Sequence, residues 1–148
     1  MEIERKYLIT NPPADLESYP CEIIEQGYLN TNPVVRVRRL NDEYILTYKG
    51  KGLLAREEYN LPLTAEAYAH LIQKSDGYII SKKRYLIPLE NDLTIELDRF
   101  VSPRQGLLMA EVEFPTEEAA NAFVPPAWFG EEVTFDPNYH NSTMSRLG

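Results

Sequence analysis

From Glu2 to Phe114 the chain keeps returning to one pattern. In short segments every second residue is charged or strongly polar, and most residues between them are aliphatic or aromatic. A period of two belongs to the β-strand, in which residues i, i+2 and i+4 share a face. The opening MEIERKYL puts Glu2, Glu4 and Lys6 on one face. VVRVRRL aligns Arg36 with Arg38, YILTYK aligns Thr47 with Lys49, and LLAREEYNL aligns Arg56, Glu58 and Asn60. YIISKKRYL aligns Lys82 with Arg84, TIELDRF aligns Glu96 with Asp98, and MAEVEF aligns Glu111 with Glu113. These segments predict strands near residues 1–9, 21–29, 34–40, 43–49, 54–61, 78–87, 93–100 and 108–114. Asn41-Asp42 and Asn91-Asp92 read as hairpin turns, and Gly50-Lys51-Gly52 as a slightly longer one, so the pairing is mostly antiparallel.

Helical segments are few. Thr64 is placed to cap TAEAYAHLIQKS, with Ala67, Leu71 and Ile72 on one side. Thr116 is placed to cap EEAANAFV, which Pro125-Pro126 stops, and NYHNSTMSRL predicts a last short helix. No repeat, low-complexity tract or long linker interrupts the 148 residues, so residues 1–148 read as one domain. The expected fold is mainly β (α+β), an eight-stranded antiparallel β-barrel with a few flanking helices. Eight strands is about the size at which an antiparallel sheet closes and abolishes its edges.

The direction of the charged face decides the function class. A half-buried sheet with its charges in water is the ordinary arrangement. Here, however, the signs are segregated: Arg36/Arg38 and Lys82/Arg84 are pure cation pairs, and Glu96/Asp98 and Glu111/Glu113 are pure anion pairs. Like charges at i, i+2 repel, whereas a solvated surface favours mixed signs. Some alternate positions (Arg5, Glu57, Lys83, Arg99) are charged as well, which supplies a second polar exterior. A barrel whose interior holds both signs accounts for both features.

Such an interior calls for a ligand that compensates it. Arginine forks suit phosphate oxygens, and clustered carboxylates without a His or Cys cluster suit a hard divalent cation such as magnesium or manganese. A metal-bound polyphosphate satisfies both halves. The chain has no GxxxxGK[ST] loop, so P-loop chemistry is excluded. The net charge of −8 argues against duplex nucleic acid as a partner. With no apolar run of about 18 residues, a membrane span is not expected. The charged start is unlike a secretory signal and the single Cys21 cannot form an internal disulfide, so a reducing cytoplasm is the expected location. Cys21 is expected in the core, His70 on the surface, His140 on the surface or in a lid contact, and Trp128 in the core.

Glu2-x-Glu4-x-Lys6 resembles the ExExK signature of the CYTH superfamily, the triphosphate tunnel metalloenzymes. GYL at 27–29, RVR at 36–38, TYKGKG at 47–52, REEY at 56–59, KKRY at 82–85, IELDRF at 95–100 and AEVEF at 110–114 follow in the family's order, and FGEEVT and Tyr139-x-Asn141 resemble its ending. The resemblance implies an eight-stranded tunnel with inward charges. It implies triphosphate binding by Lys6, Arg36, Arg38, Lys49, Arg56, Lys82 and Arg84, and metal binding by Glu2, Glu4, Glu58, Glu111 and Glu113 with Asp98 nearby. One or two Mg2+ or Mn2+ ions are implied. The acid usual after REEY is Asn60 here. Lys82, Tyr28 and Glu58 are the candidates at the reacting end, Tyr28 being alternatively a wall aromatic. The expected activity is a metal-dependent triphosphatase acting on inorganic triphosphate or another small triphosphate-containing molecule. The family also contains class IV adenylyl cyclases and thiamine or nucleoside triphosphatases, and a polyphosphate-binding module is the non-enzyme alternative. A homodimer is compatible with this reading.

Overall fold

The computed structural model describes residues 1–147. Its strands are β1 (Glu2–Leu8), β2 (Cys21–Thr31), β3 (Val34–Leu40), β4 (Glu43–Lys49), β5 (Ala55–Arg56), β6 (Glu58–Pro62), β7 (Asp76–Pro88), β8 (Thr94–Ser102) and β9 (Leu108–Glu113). All pairing is antiparallel, in the order β5-β1-β9-β8-β7-β2-β3-β4-β6. The two ends of that order, β5 and β6, are separated in the chain by Glu57 alone, so the sheet curls into a nearly closed barrel.

The eight expected segments give nine strands because the run near 54–61 divides. Its first part pairs with β1 (Glu2 opposite Arg56) and its second with β4 (Lys49 opposite Glu58). The Gly50-Lys51-Gly52 turn therefore opens into a loop that reaches Glu57, whose carbonyl accepts from the Gly50 N–H at 3.0 Å. Gly52 has a φ of 130°, and a Cβ there would collide with the Ala55 carbonyl, so this loop requires glycine. Asn41-Asp42 forms a two-residue connection, whereas Asn91-Asp92 sits at the tip of a longer one, residues 89–93, where the Leu93 N–H donates to the Glu90 carbonyl at 3.2 Å. Leu40 pairs with Glu43 around Asn41-Asp42, where Asn41 has a φ of 53°. Asn91 and Asp92 both have a φ of 59°, the twist-matched turn conformation that these residue types tolerate.

Thr64 caps α1 (Ala65–Ile72), its hydroxyl accepting from the Ala67 N–H at 3.1 Å. The side chain that α1 buries is Tyr68, whose hydroxyl donates to Glu25 of β2 at 2.7 Å, while Ala67, Leu71 and Ile72 are half-buried. Thr116 caps α2 (Glu117–Ala122) through the Ala119 N–H, and α3 (Asn141–Leu147) ends the described chain.

The outward apolar residues of β1, β8 and β9, namely Ile3, Ile95, Leu97, Ala110 and Val112, form the main core with Phe114 and Ala120. Each such fully buried aliphatic side chain contributes roughly 1.5–3 kcal/mol. Trp128 is partly buried against this cluster, and His70 is exposed. Cys21, expected in the core, is exposed at the first residue of β2. A second apolar cluster, including Tyr28, Val34, Ile80, Phe100 and Met109, sits at one end of the barrel with Met144 of α3 packed on it. Gly77 (φ 70°) lets α3 approach β7: a Cβ there would collide with the Ser145 carbonyl. The segment before α3 is laced to β1 by Leu8 N–H to Glu131, Gly130 N–H to Leu8 and Val133 N–H to Lys6, each at 2.8 Å. Arg5 secures it, gripping both Glu132 carboxylate oxygens at 2.8 and 2.6 Å and the Ala120 carbonyl at 2.8 Å. Among the described residues, no helix is long and apolar enough to cross a membrane.

Candidate active site

The period-2 charged rows of separate strands meet inside the barrel. One cavity of about 60 Å³ is lined by Glu2, Glu4 and Lys6 of β1, by Arg36 and Arg38 of β3, and by Lys49 of β4. Arg56 and Glu58 continue its wall, followed by Lys82 and Arg84 of β7, Glu96 of β8, and Glu111 and Glu113 of β9. Tyr28 also reaches it. Thirteen of the fourteen residues singled out from the sequence line this one space; the exception is Asp98. A larger, mostly apolar groove lies outside the barrel beside α2, lined by Leu89, Leu93, Phe123 and Val124, and contains none of them.

The cavity is narrow because its side chains reach across it to one another. Lys49 Nζ donates to both oxygens of Glu2, at 2.8 and 2.9 Å, and lies 3.5 Å from Glu58. Lys6 Nζ sits 3.7 Å from Glu4 and 3.8 Å from Glu111, and Arg56 lies 3.7 Å from Glu2. Burial alone would raise the Glu2 carboxyl, but the Lys49 ammonium brings it below its ordinary value. Glu4 fares differently: burial, then the neighbouring Glu111, push it up to about 8. Burial also opposes the charge on Glu111, but Lys6, Arg84 and Lys82 hold it well below the usual carboxylate range.

Asp98 was expected beside the metal. It is fully buried behind the cavity wall, where Lys82 Nζ lies 2.6 Å away and Arg84 donates to both its oxygens at 2.8 and 3.0 Å. Both oxygens are paired with cations of the basic wall. Lys82 itself is almost completely buried, which pushes it down to about 8 despite Asp98.

Arg36 and Arg38 differ from every other cation lining the cavity: among the described residues neither has a carboxylate partner. Arg36 donates to the Thr47 hydroxyl at 3.2 Å, and its Nε, buried, has no acceptor. Arg38 donates through Nε to the Gln26 side-chain oxygen at 2.7 Å. Burial, then Arg36 and Arg84, push Arg38 down to about 9. A guanidinium remains charged at neutral pH, so Arg38 keeps a positive charge that no carboxylate among the described residues pairs with.

Thr47, which holds Arg36, in turn donates to Asn60 at 2.7 Å, and Asn60 donates to Glu58 at 3.2 Å. The residue standing where an acid is usual thus joins the two walls. His140, expected on the surface or in a lid contact, is buried and lines the cavity from the C-terminal segment together with Asn141 and Ser142, which were not among the expected site residues. Asn141 Oδ1 accepts from Lys82 Nζ at 3.1 Å, and the His140 ring bonds the Thr134 carbonyl at 3.1 Å. No period-2 pattern marks these residues; they reach the cavity because the chain after α2 is laced to β1. The Tyr139-x-Asn141 resemblance was the one available signal.

Comparison with known proteins agrees with this geometry. The CYTH domain family model matches residues 1–143. An inorganic triphosphatase of Nitrosomonas europaea is 39% identical over 148 residues, covering 97% of this chain and 96% of that protein. An inorganic triphosphatase of Acetivibrio thermocellus is 37% identical, covering 97% and 92%. A crystal structure of an inorganic triphosphatase superposes with a TM-score of 0.70 at 36% identity, covering 98% of this chain and 94% of that one. With the inward charge rows in place and the match running along nearly its whole length, the chain belongs to the CYTH domain family.

Proposed function

We propose that this chain is a divalent-metal-dependent inorganic triphosphatase, releasing orthophosphate and pyrophosphate from inorganic triphosphate and water. The observation that carries the reading is the pair of buried Arg36 and half-buried Arg38, held among the described residues by the neutral Thr47 and Gln26 and lining the same cavity as the carboxylates. Two neighbouring guanidiniums with no carboxylate partner among the described residues form an anion site, and their forks suit phosphate oxygens. Lys6, Lys49, Arg56, Lys82 and Arg84 extend the site along the cavity.

The acid wall fits a hard cation by its donor chemistry. Glu2, Glu4, Glu58, Glu111 and Glu113 offer oxygen only, and a divalent ion would offset the burial and the neighbouring Glu111 that together raise Glu4. Among the described residues no three carboxylates converge as a ligand set; they turn to Lys6 and Lys49 instead. Binding a metal polyphosphate therefore exchanges these internal pairs for ligand contacts: the lysines turn to phosphate and the glutamates to the ion. A bound Mg2+ or Mn2+ supplies Lewis-acid charge and lowers the pKa of a bound water. The chain's own residues bind, orient and neutralise: the arginines take up charge on the transferred and leaving groups. Lys82, Tyr28 and Glu58 flank the reacting end.

The test is phosphate release from inorganic triphosphate, thiamine triphosphate and ATP, with each metal and with chelator. Inorganic triphosphate is expected to show the highest kcat/KM, because the cavity is lined almost wholly by charged and polar side chains that match the phosphate chain, and chelator is expected to abolish turnover. A preference for ATP, or formation of cyclic AMP, overturns the substrate; full activity in chelator overturns the metal. Tight binding with no turnover of any triphosphate supports the polyphosphate-binding alternative.

A further inference from the structure

Gln26 of β2 is fully buried, and none of the site residues inferred from the sequence includes it. Its hydrogen bonds fix its orientation. The Nε of Arg38 is a donor only, so the atom facing it at 2.7 Å must be the Gln26 oxygen. The Gln26 amide nitrogen is thereby turned toward the Tyr28 hydroxyl at 3.3 Å and Asn141 Oδ1 at 3.3 Å. That same Asn141 oxygen accepts from Lys82 Nζ. One neutral side chain thus touches Arg38 and Tyr28 and, through Asn141, is tied to Lys82 and to the first residue of α3.

The neutrality matters. Lys82 and Arg84 are paired with Asp98, which consumes much of their field, while Arg38 is held by a partner that accepts a hydrogen bond and carries no charge. A glutamate at position 26 would hold Arg38 equally well and would cancel the charge that the ligand needs. We infer that Gln26 is a positioning and specificity residue, which orients Arg38 toward the polyanion while leaving its positive charge uncompensated. This rests on the proposed triphosphate site.

The experiment separates charge from packing by comparing Gln26→Glu with Gln26→Leu. Binding of inorganic triphosphate is measured by titration calorimetry with chelator present, so that turnover does not enter, and thermal unfolding reports the fold. If Gln26 matters for its neutrality, Gln26→Glu weakens binding by roughly ten- to a hundredfold, the scale of a charged hydrogen bond withdrawn from the ligand. Gln26→Leu, which unties Arg38 but leaves its charge, is then expected to weaken binding only several-fold, although it loses more buried hydrogen bonds and unfolds at a lower temperature. In kinetics with metal restored, Gln26→Glu raises KM more than it lowers kcat. The reverse order of binding, with leucine worse than glutamate, assigns Gln26 to packing and overturns the inference. Equal binding by Gln26→Glu and the unaltered protein overturns it too. If the unaltered protein fails to bind triphosphate both in chelator and with metal restored, the site reading beneath the inference falls and takes it along.

Discussion

Arg36 and Arg84 are both buried arginines lining the cavity, yet their surroundings assign them different consequences. Arg36 has no carboxylate partner among the described residues, and its neighbour Arg38 is pushed down by burial and then by Arg36. Arg36→Ala is therefore expected to leave thermal stability unchanged or slightly higher, while triphosphate hydrolysis falls by about 2–4 kcal/mol of transition-state stabilisation, roughly tens- to several-hundred-fold. Arg84 grips Asp98 through two hydrogen bonds and lies near Glu96 and Glu111. Removing it strips a buried carboxylate, so Arg84→Ala is expected to lose about 3 kcal/mol of stability in addition to activity. Chemical denaturation beside kcat/KM checks both; equal loss of stability in the two variants defeats the distinction. The sequence placed both arginines on the correct face, because the period of two is a local property. It did not foresee that Asp98 is enclosed by Lys82 and Arg84, because period alone does not distinguish a carboxylate facing open space from one sealed behind its own cations.

At the scale of elements, α3 is the part whose role was least legible. Its existence follows from the tail composition, but its place depends on backbone lacing between residues 130–133 and β1 and on the clearance at Gly77. Neither leaves a periodic signature. The division of the 54–61 run was hidden for a related reason. Continuous alternation across Arg56, Glu58 and Asn60 reads as one strand, and only the presence of two different partners, β1 and β4, separates it. Gly77→Ala tests α3 directly. The new methyl meets the Ser145 carbonyl in a backbone conformation unfavourable to alanine, so α3 is expected to lift from β7. Faster amide exchange over 141–147, with a loss of activity through Asn141 and Lys82, is the expected result. Unchanged exchange there means that α3 does not depend on this contact.

For the whole molecule, the strand order has an unequal fastening. Most neighbouring strands share between five and eight paired positions, but β1 and β5 share two, Glu2 with Arg56 and Ile3 with Ala55, helped by the Glu4 N–H on the Leu54 carbonyl at 3.1 Å. The barrel is a hoop closed by a short buckle. Glu2 and Arg56, the outer rivets of that buckle, also line the cavity, with Glu58 on the adjoining strap. A load carried between the acid wall and the basic wall is therefore a load across the buckle. Amide exchange at Ile3 and Ala55 is expected to slow more on addition of metal and triphosphate than exchange at the β7–β8 pair, where eight positions already hold the strands together. Uniform slowing around the ring would show that the hoop tightens evenly. Preferential slowing at Ile3 and Ala55 makes the cargo its own clasp: the barrel is drawn shut by what it carries and slackens when the cargo is cut in two.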